Sequence, residues 1–301
     1  IDANQDVTST TGTFGNTGTI KVFRNLTATS GFTTSSGTVE YDGTVAQSVL
    51  GITYGTLRAL NASTKTMAAD VTASTLFEVG GTATLDVSTH ILTLAGTVTT
   101  GGTLTASAGK VEYTLAGAQN VFATTYKDLT LNGSGDKTSS GAVTLAGTFL
   151  NGVAGINFVM TNLTIDGSAD VTGNSGTIKS SGTVVVTDGT SETIGGTFDY
   201  TGATQTVVTA QYTNLTLSGN GGTVTVNSSP YISGSYSPSG TSTRDYAGST
   251  IRFNGAGAQS IAGDAASFAA LEFYAAGVKT ITSSVTTTGA VTISSATSVG
   301  D

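Results

Sequence analysis

The sequence predicts an all-β chain wound as a right-handed parallel β-helix (β-solenoid) of about a dozen coils, with little or no α-helix. Three observations predict it: a composition far from the globular average, period-two alternation throughout, and one module that occurs four times at unequal spacing.

Composition sets the frame. Of 301 residues only 10% are charged, against roughly 25% in ordinary soluble domains. Gly, Thr and Ser dominate, with no Cys, no Trp, one histidine (His90) and two prolines (Pro230 and Pro238). So polar and Gly-rich a chain risks disorder. Here, however, aliphatic and aromatic residues alternate with Thr and Ser, and Thr fits a pleated sheet. Without Cys there is neither a disulfide nor thiol chemistry, which is compatible with secretion. No apolar run reaches the ~20 residues of a membrane span. The sequence opens at Ile1 with no basic, apolar leader, so a signal peptide, if there was one, is expected to be already gone. A formal net charge of −8 argues against nucleic acid or an anionic membrane as partner.

Short period-two runs broken by Gly, Asn-Gly or Ser-Gly read as strands and turns, as in 142–149 (AVTLAGTF), 102–106 (GTLTA) and 222–226 (GTVTV). The only helix-forming composition is 262–271 (AGDAASFAAL), which predicts at most a short helical turn.

The module is the strongest signal. Its first copy runs Gly37-Thr-Val-Glu-Tyr41, Gln47, Tyr54-x-x-Leu57, Lys65. The second is Gly109-Lys-Val-Glu-Tyr113, Gln119, Tyr126-x-x-Leu129, Lys137. The third is Gly196-Thr-Phe-Asp-Tyr200, Gln205, Tyr212-x-x-Leu215, with Thr223 in the lysine's place. The fourth is Ile251-Arg-Phe253, Gln259, Phe268-x-x-Leu271, Lys279, and half-copies stand at Phe23-x-x-Leu26 and Met160-x-x-Leu163. Residues 1–301 are read as a single solenoid domain with modules near 37–71, 109–145, 196–226 and 248–293.

Unequal spacing selects the architecture. The steps from Tyr41 to Tyr113, to Tyr200 and to Phe253 are 72, 87 and 53 residues. Tandem β-sandwiches need a roughly constant ~100 residues each, whereas a solenoid gains or loses coils. At about 22–26 residues per coil, from a few strands of ~5 residues plus turns, the gaps fit three, four and two coils.

Alternation assigns the side chains. Val39 and Tyr41, Val111 and Tyr113, Phe198 and Tyr200, and Ile251 and Phe253 face the core, with Glu40, Glu112, Asp199 and Arg252 facing water. The leucines of the module are core, each worth about 1.5–3 kcal/mol when buried. The recurring Gln is read as satisfying backbone groups at a coil corner rather than as an amide row for a ligand, and the tyrosines as core rather than a sugar-stacking ladder. The recurring Lys, beside turn residues, is expected to point to solvent.

Catalytic groups are sparse. One His and no Cys build neither a nucleophile pair nor a multi-histidine zinc site, and His90 reads as a strand or turn residue. Glu40, Glu112 and Asp199 lie three to four coils apart. That is on the order of 14 Å or more, beyond the ~5–9.5 Å of a glycosidase pair. Four Arg (24, 58, 244 and 252) and seven Lys serve the whole chain. Asn132-Gly-Ser-Gly-Asp136 and Asp166-Gly-Ser-Ala-Asp170 hold oxygen ligands of the kind calcium takes, but match no calcium loop and read as turns. No enzyme activity, cofactor or metal is expected. Asn-x-Ser/Thr sequons stand at Asn25, Asn61, Asn132, Asn162, Asn214 and Asn227, three of them Asn-Leu-Thr strings of the module, and in a bacterial protein they are expected to be unmodified. Thr-x-Thr pairs such as Thr97-Val-Thr99 and Thr223-Val-Thr225 fall at no common register along the sequence, so an ice-binding face is not expected.

The Gly-x-Val-x-Tyr…Gln…Tyr-x-x-Leu-x-Leu strings and Thr/Gly-rich strands resemble, in style, the repeats of bacterial cell-surface β-helix proteins of the adhesin and autotransporter-passenger kind. The resemblance covers nearly the whole chain. It implies an extracellular structural protein, a subunit of a cell-surface filament or adhesin stalk. It carries over no catalytic residues. The start, IDANQDVTSTTG, reads as a thin cap. The end repeats Gly141-Ala-Val-Thr-Leu145 as Gly289-Ala-Val-Thr-Ile293 and then breaks off. Uncapped solenoid ends present unpaired backbone groups, so either the chain is a fragment of a longer solenoid or the coils of one subunit stack on the next, and head-to-tail self-assembly is the expectation. The alternatives are a β-helix that binds or processes polysaccharide, and surface glycans as partners.

Overall fold

The structure is a computed structural model that describes residues 2–3, 7–9, 17–28, 32, 34–294 and 297–300. Strand after strand pairs in parallel with its counterpart one coil away, giving a parallel β-solenoid of about 13 turns with essentially no helix. Two compact units divide the chain, Ile1–Thr148 and Phe149–Asp301.

In the first unit each coil has three faces. Face one carries the column Val22, Tyr41, Ala59, Val79 and Thr100, paired residue by residue. Face two stacks Gln47–Val49, Thr64–Met67, Thr84–Asp86 and 103–105. Face three carries Tyr54, Ala73, Leu94, Tyr113 and Leu131. Partners on face one are 18 to 21 residues apart, fewer than the 22–26 expected. The reason lies at the corners. Strand Val71–Val79 pairs on two faces, its residues 71–73 with Ile91–Leu94 and its residues 76–79 with Thr97–Thr100. A bulge in a continuous strand turns the corner, so no turn residues are needed.

The module sits on that corner, and it rotates. Its glycine lies in the bulge, where the register shifts between Thr34 and Thr38 and again between Ala106 and Lys110. At Gly109 an added Cβ would lie 2.5 Å from the His90 carbonyl and 2.6 Å from that of Ser88. The gap between modules is not a whole number of coils. Three coils from Tyr41 end on Thr100. Tyr113 then falls in the column of Tyr54, one face away.

The second unit follows the same plan. One column runs Met160, Ser180, Tyr200, Leu217 and Pro238. Another runs Ile194, Tyr212, Ile232, Phe253, Phe273 and Ile293. Phe253 therefore stacks in the column of Tyr212 rather than that of Tyr200, the same one-face rotation. Gly196, in the bulge of the third module, has φ +60°, a conformation glycine reaches without steric cost.

Several expectations are corrected. Residues 262–271 form no helix, and among the described residues the only helical turn is the 3-10 turn Gly189–Ser191. A single turn has a costly nucleus, and Phe268 and Leu271 are held in the core instead. Glu40 and Asp199 do not face open water: they are 6% and 7% exposed. Glu40 is covered by its ladder neighbours, Arg58 at 2.5 Å and Lys21 at 3.7 Å, and Arg58 continues to Glu78 at 2.7 Å. Threonine pairs are not scattered throughout. Thr97 and Thr99 do stack on unlike residues, Leu76 and Glu78, but Thr223 and Thr225 stack on Thr243 and Asp245. Of the expected N-terminal cap, Asp2–Ala3 and Val7–Ser9 pair in parallel with Thr19–Val22 and Leu26–Ala28. The rest of that stretch, and residues 295–296 and 301 of the closing string, lie outside the described residues. No helix among the described residues is long and apolar enough to cross a membrane.

Candidate functional site

The module's two tyrosines come from strands 13 or 12 residues apart and meet inside the coil. Tyr41 and Tyr54 bring their hydroxyls to 3.0 Å, Tyr113 and Tyr126 to 2.9 Å, and Tyr200 and Tyr212 to 2.9 Å. All six are essentially fully buried. Proton counting fixes the order. The Leu50 N–H donates to the Tyr41 hydroxyl at 3.0 Å, and the Tyr54 hydroxyl donates to the Leu50 carbonyl at 2.7 Å. Each phenol has one proton, so Tyr41 donates to Tyr54. The circuit leaves Leu50 by its N–H and returns to its C=O. Phe122 is served the same way by Tyr113 and Tyr126, and Val208 by Tyr200 and Tyr212. The pair thus satisfies both backbone groups of one corner residue that no strand pairs. Burial pushes the Tyr41, Tyr113 and Tyr200 phenols up to about 12, and their partners well above the ordinary phenol value.

The glutamine closes the neighbouring corner. Gln47 Nε2 donates to the carbonyls of Val22 at 2.8 Å and Arg24 at 2.6 Å, one coil back, while its Oε1 accepts from Gly43 N at 2.9 Å. Gln205 and Gln259 repeat all three bonds, to Ser180, Gly182 and Gly202 and to Ile232, Gly234 and Gly255. Gln119 repeats only the two donations, to Leu94 and Gly96, and its buried Oε1 has no partner. The module leucines Leu57, Leu129, Leu215 and Leu271 are buried beside these groups.

The lysines overturn their expectation. Lys65, Lys137 and Lys279 are 0% exposed. Each pairs directly across from the module glutamine, one coil on, and turns its ammonium onto turn carbonyls. Lys137 Nζ donates to Leu115, Gly117 and Ser134 at 2.7, 2.8 and 3.1 Å. Lys279 reaches the Gly255 carbonyl at 2.6 Å, and Lys65 that of Gly43 at 2.8 Å. An ammonium with three donors caps carbonyls that a tight Gly-rich turn leaves unpaired. Burial lowers the Lys137 amine to about 8. The fixed eight-residue step from Leu to Lys was the available signal, because a solvent-facing lysine has no reason to keep a constant offset.

The third module departs from the pattern. Gln205 pairs with Val224 rather than with Thr223, and Arg244 follows one coil later. Arg244 donates to the carbonyls of Ser242, Leu217 and Ser239. The fourth module has Phe253 and Phe268 where the others have tyrosines, packed on a fourth pair, Tyr236 and Tyr246. Tyr246 donates to Asp264 Oδ2 at 2.6 Å, and Arg244 Nε lies 3.7 Å from the same oxygen. Gly240, Thr241, Ser242 and Thr243 line a depression of 410 Å3 here. The Arg244 and Asp264 side chains are only 9% and 4% exposed, so their charges are turned inward to each other and to Tyr246.

The remaining singled-out residues are dispersed. His90 Nδ1 lies 3.9 Å from Asp70. Glu112 lies 2.6 Å from Lys110 on face three. Asp166 and Asp170 accept from the amides of Gly167 and Thr172, ordinary turn bonds. The asparagines of the three Asn-Leu-Thr strings accept from the next coil, Asn25 from Ser48 N, Asn162 from Thr183 N and Asn214 from Ser235 N. Glu192, 5% exposed, has its carboxyl pushed up to about 7, first by burial and then by Asp188 and Asp170. Among the described residues no three His, Asp or Glu side chains gather as metal ligands would. No family model, curated protein or solved structure matches this chain.

Proposed function

We propose that the protein is a structural protein of the bacterial cell exterior, a subunit of a cell-surface filament or adhesin stalk that assembles end to end. One observation carries the reading: the side chains that the module repeats are turned inward and bonded to the scaffold. Tyrosine pairs, glutamines and lysines satisfy corner carbonyls and amides, so these module side chains are occupied by the scaffold. A polysaccharide-binding β-helix would present aromatic faces to solvent, whereas eight of the ten tyrosines are sealed in pairs.

Assembly draws support from strand Val291–Ile293. It pairs in parallel with Ala270–Phe273, and its Val291 and Ile293 are 51% and 54% exposed. A stacked coil would cover that apolar surface whether it belongs to the same chain or to a second copy, and copies joined head to tail form open fibres. Negative-stain electron microscopy of native material tests this directly. Filaments that vanish in a Val291→Asp/Ile293→Asp variant are expected. Monomers alone, at all concentrations, overturn the assembly.

A further inference from the structure

Face two of the first unit differs from its neighbours in setting two hydroxyl columns side by side with little charge. Its ladder runs from Gln47–Val49 through Thr64–Met67 and Thr84–Asp86 to 103–105 without a register shift, the shifts falling only at the bulged corners between faces. Lys65, Leu85 and Leu104 point inward and are buried. Outward, one column is Thr64, Thr84 and Thr103, and the next is Ser48, Thr66, Asp86 and Thr105. Face one, by contrast, sets a single threonine column, Thr19, Thr38 and Thr56, beside Lys21, Glu40, Arg58 and Glu78, and face three runs Thr53, Thr72 and Thr93 into Glu112 beside Ile91 and Lys110.

The second unit contains the arrangement again. With Val224 inward and buried, Thr206, Thr225 and Asp245 form one outward column, and Thr223 pairs with Thr243 in the other. Even the interruption is the same. Asp86 and Asp245 each tie a carboxylate oxygen to their own turn, to Ser88 N at 2.8 Å and Ala247 N at 3.0 Å.

Stacked strands place such side chains on a grid, ~4.8 Å between coils and ~6.6 Å along a strand. Threonine is stiff at χ1, so each grid point holds a hydroxyl and a methyl in a fixed direction. We propose that these threonine columns order water into a lattice, and that the partner of the face is the surface of ice. The hydroxyls bond lattice water and the methyls exclude disordered water between them. The near absence of charge spares the lattice the radial hydration that an ammonium or free carboxylate imposes. A crystalline polysaccharide is the competing partner, and it calls for exposed aromatic planes that this face does not carry. The proposal does not rest on end-to-end assembly.

The test measures thermal hysteresis, and partition of the full chain into slowly growing ice, with far-UV circular dichroism to confirm folding. Wild type is expected to show a freezing-point gap and enrichment in the ice fraction. The variant Thr66→Tyr/Thr105→Tyr/Thr206→Tyr/Thr225→Tyr is expected to fall to the level of a protein with no ice affinity. Thr99→Tyr/Ile91→Tyr, at positions that stack on Glu78 and Lys110 on the other faces of the first unit, is expected to retain full activity. Wild type indistinguishable from the inactive control overturns the proposal, as does equal loss in both variants. Co-sedimentation with crystalline cellulose or chitin, without ice enrichment, overturns it in favour of the polysaccharide.

Discussion

Replacing the module glutamine with leucine should cost far more at position 47 than at position 119. Both side chains are buried, at 3% and 4% exposure, and both lie in the first unit. The changes in volume and apolar burial are therefore shared and cancel in the comparison. Gln47→Leu removes the acceptor that Gly43 N–H uses and the side-chain donor to Arg24 O. Val22 O keeps the Asp42 N–H at 2.9 Å. Two newly unsatisfied groups at ~1–3 kcal/mol each give a loss of about 3 kcal/mol. Gln119→Leu strips Gly96 O, while Leu94 O keeps Thr114 N–H, and it also deletes a buried Oε1 that has no partner. The expected loss is about 1 kcal/mol. With a urea slope of ~1–3 kcal/mol/M, the two midpoints should differ by on the order of 1 M. Equal midpoints, or a costlier Gln119→Leu, would refute the account of the corner.

Three further outcomes follow from the same interior. In a spectrophotometric titration at pH 11, the eight paired tyrosines should stay protonated in the native protein and ionise only on unfolding. Tyr113→Phe should lower stability by about 1–2 kcal/mol, since it leaves Phe122 N–H without its acceptor; thermal denaturation reads the loss, and an unchanged midpoint would sink the circuit. Glu192 binds its proton more tightly when folded, so its contribution to stability falls as pH rises from about 4.5 to about 7. Glu192→Gln should therefore raise the melting temperature at pH 8 and converge on wild type below pH 4.5; a variant equally displaced at both pH values would contradict the assignment.

How much of this was legible in the sequence depended on the range of the force that decided it. The identities of the core residues were readable, because alternation is a local property of a strand: Val39 and Tyr41 share a face whatever lies above them. The repeated Gln and Lys were visible as positions but not as roles. Lys65 stands among polar turn residues, and nothing local shows that Gly43, 22 residues earlier, offers it a carbonyl.

By itself, then, the sequence determined an all-β solenoid, because a degenerate module at unequal spacing has few other ways to stack. Only the tertiary structure decided the phase. Corners made by bulged strands shorten the first unit's coil to 18–21 residues, and the second and fourth modules each stand one face around from the module before. That rotation decides which side chains meet across coils, and so which threonines line up and which lysines are enclosed. Register between coils is set by packing and hydrogen bonding between residues about twenty apart, and no local pattern carries that information.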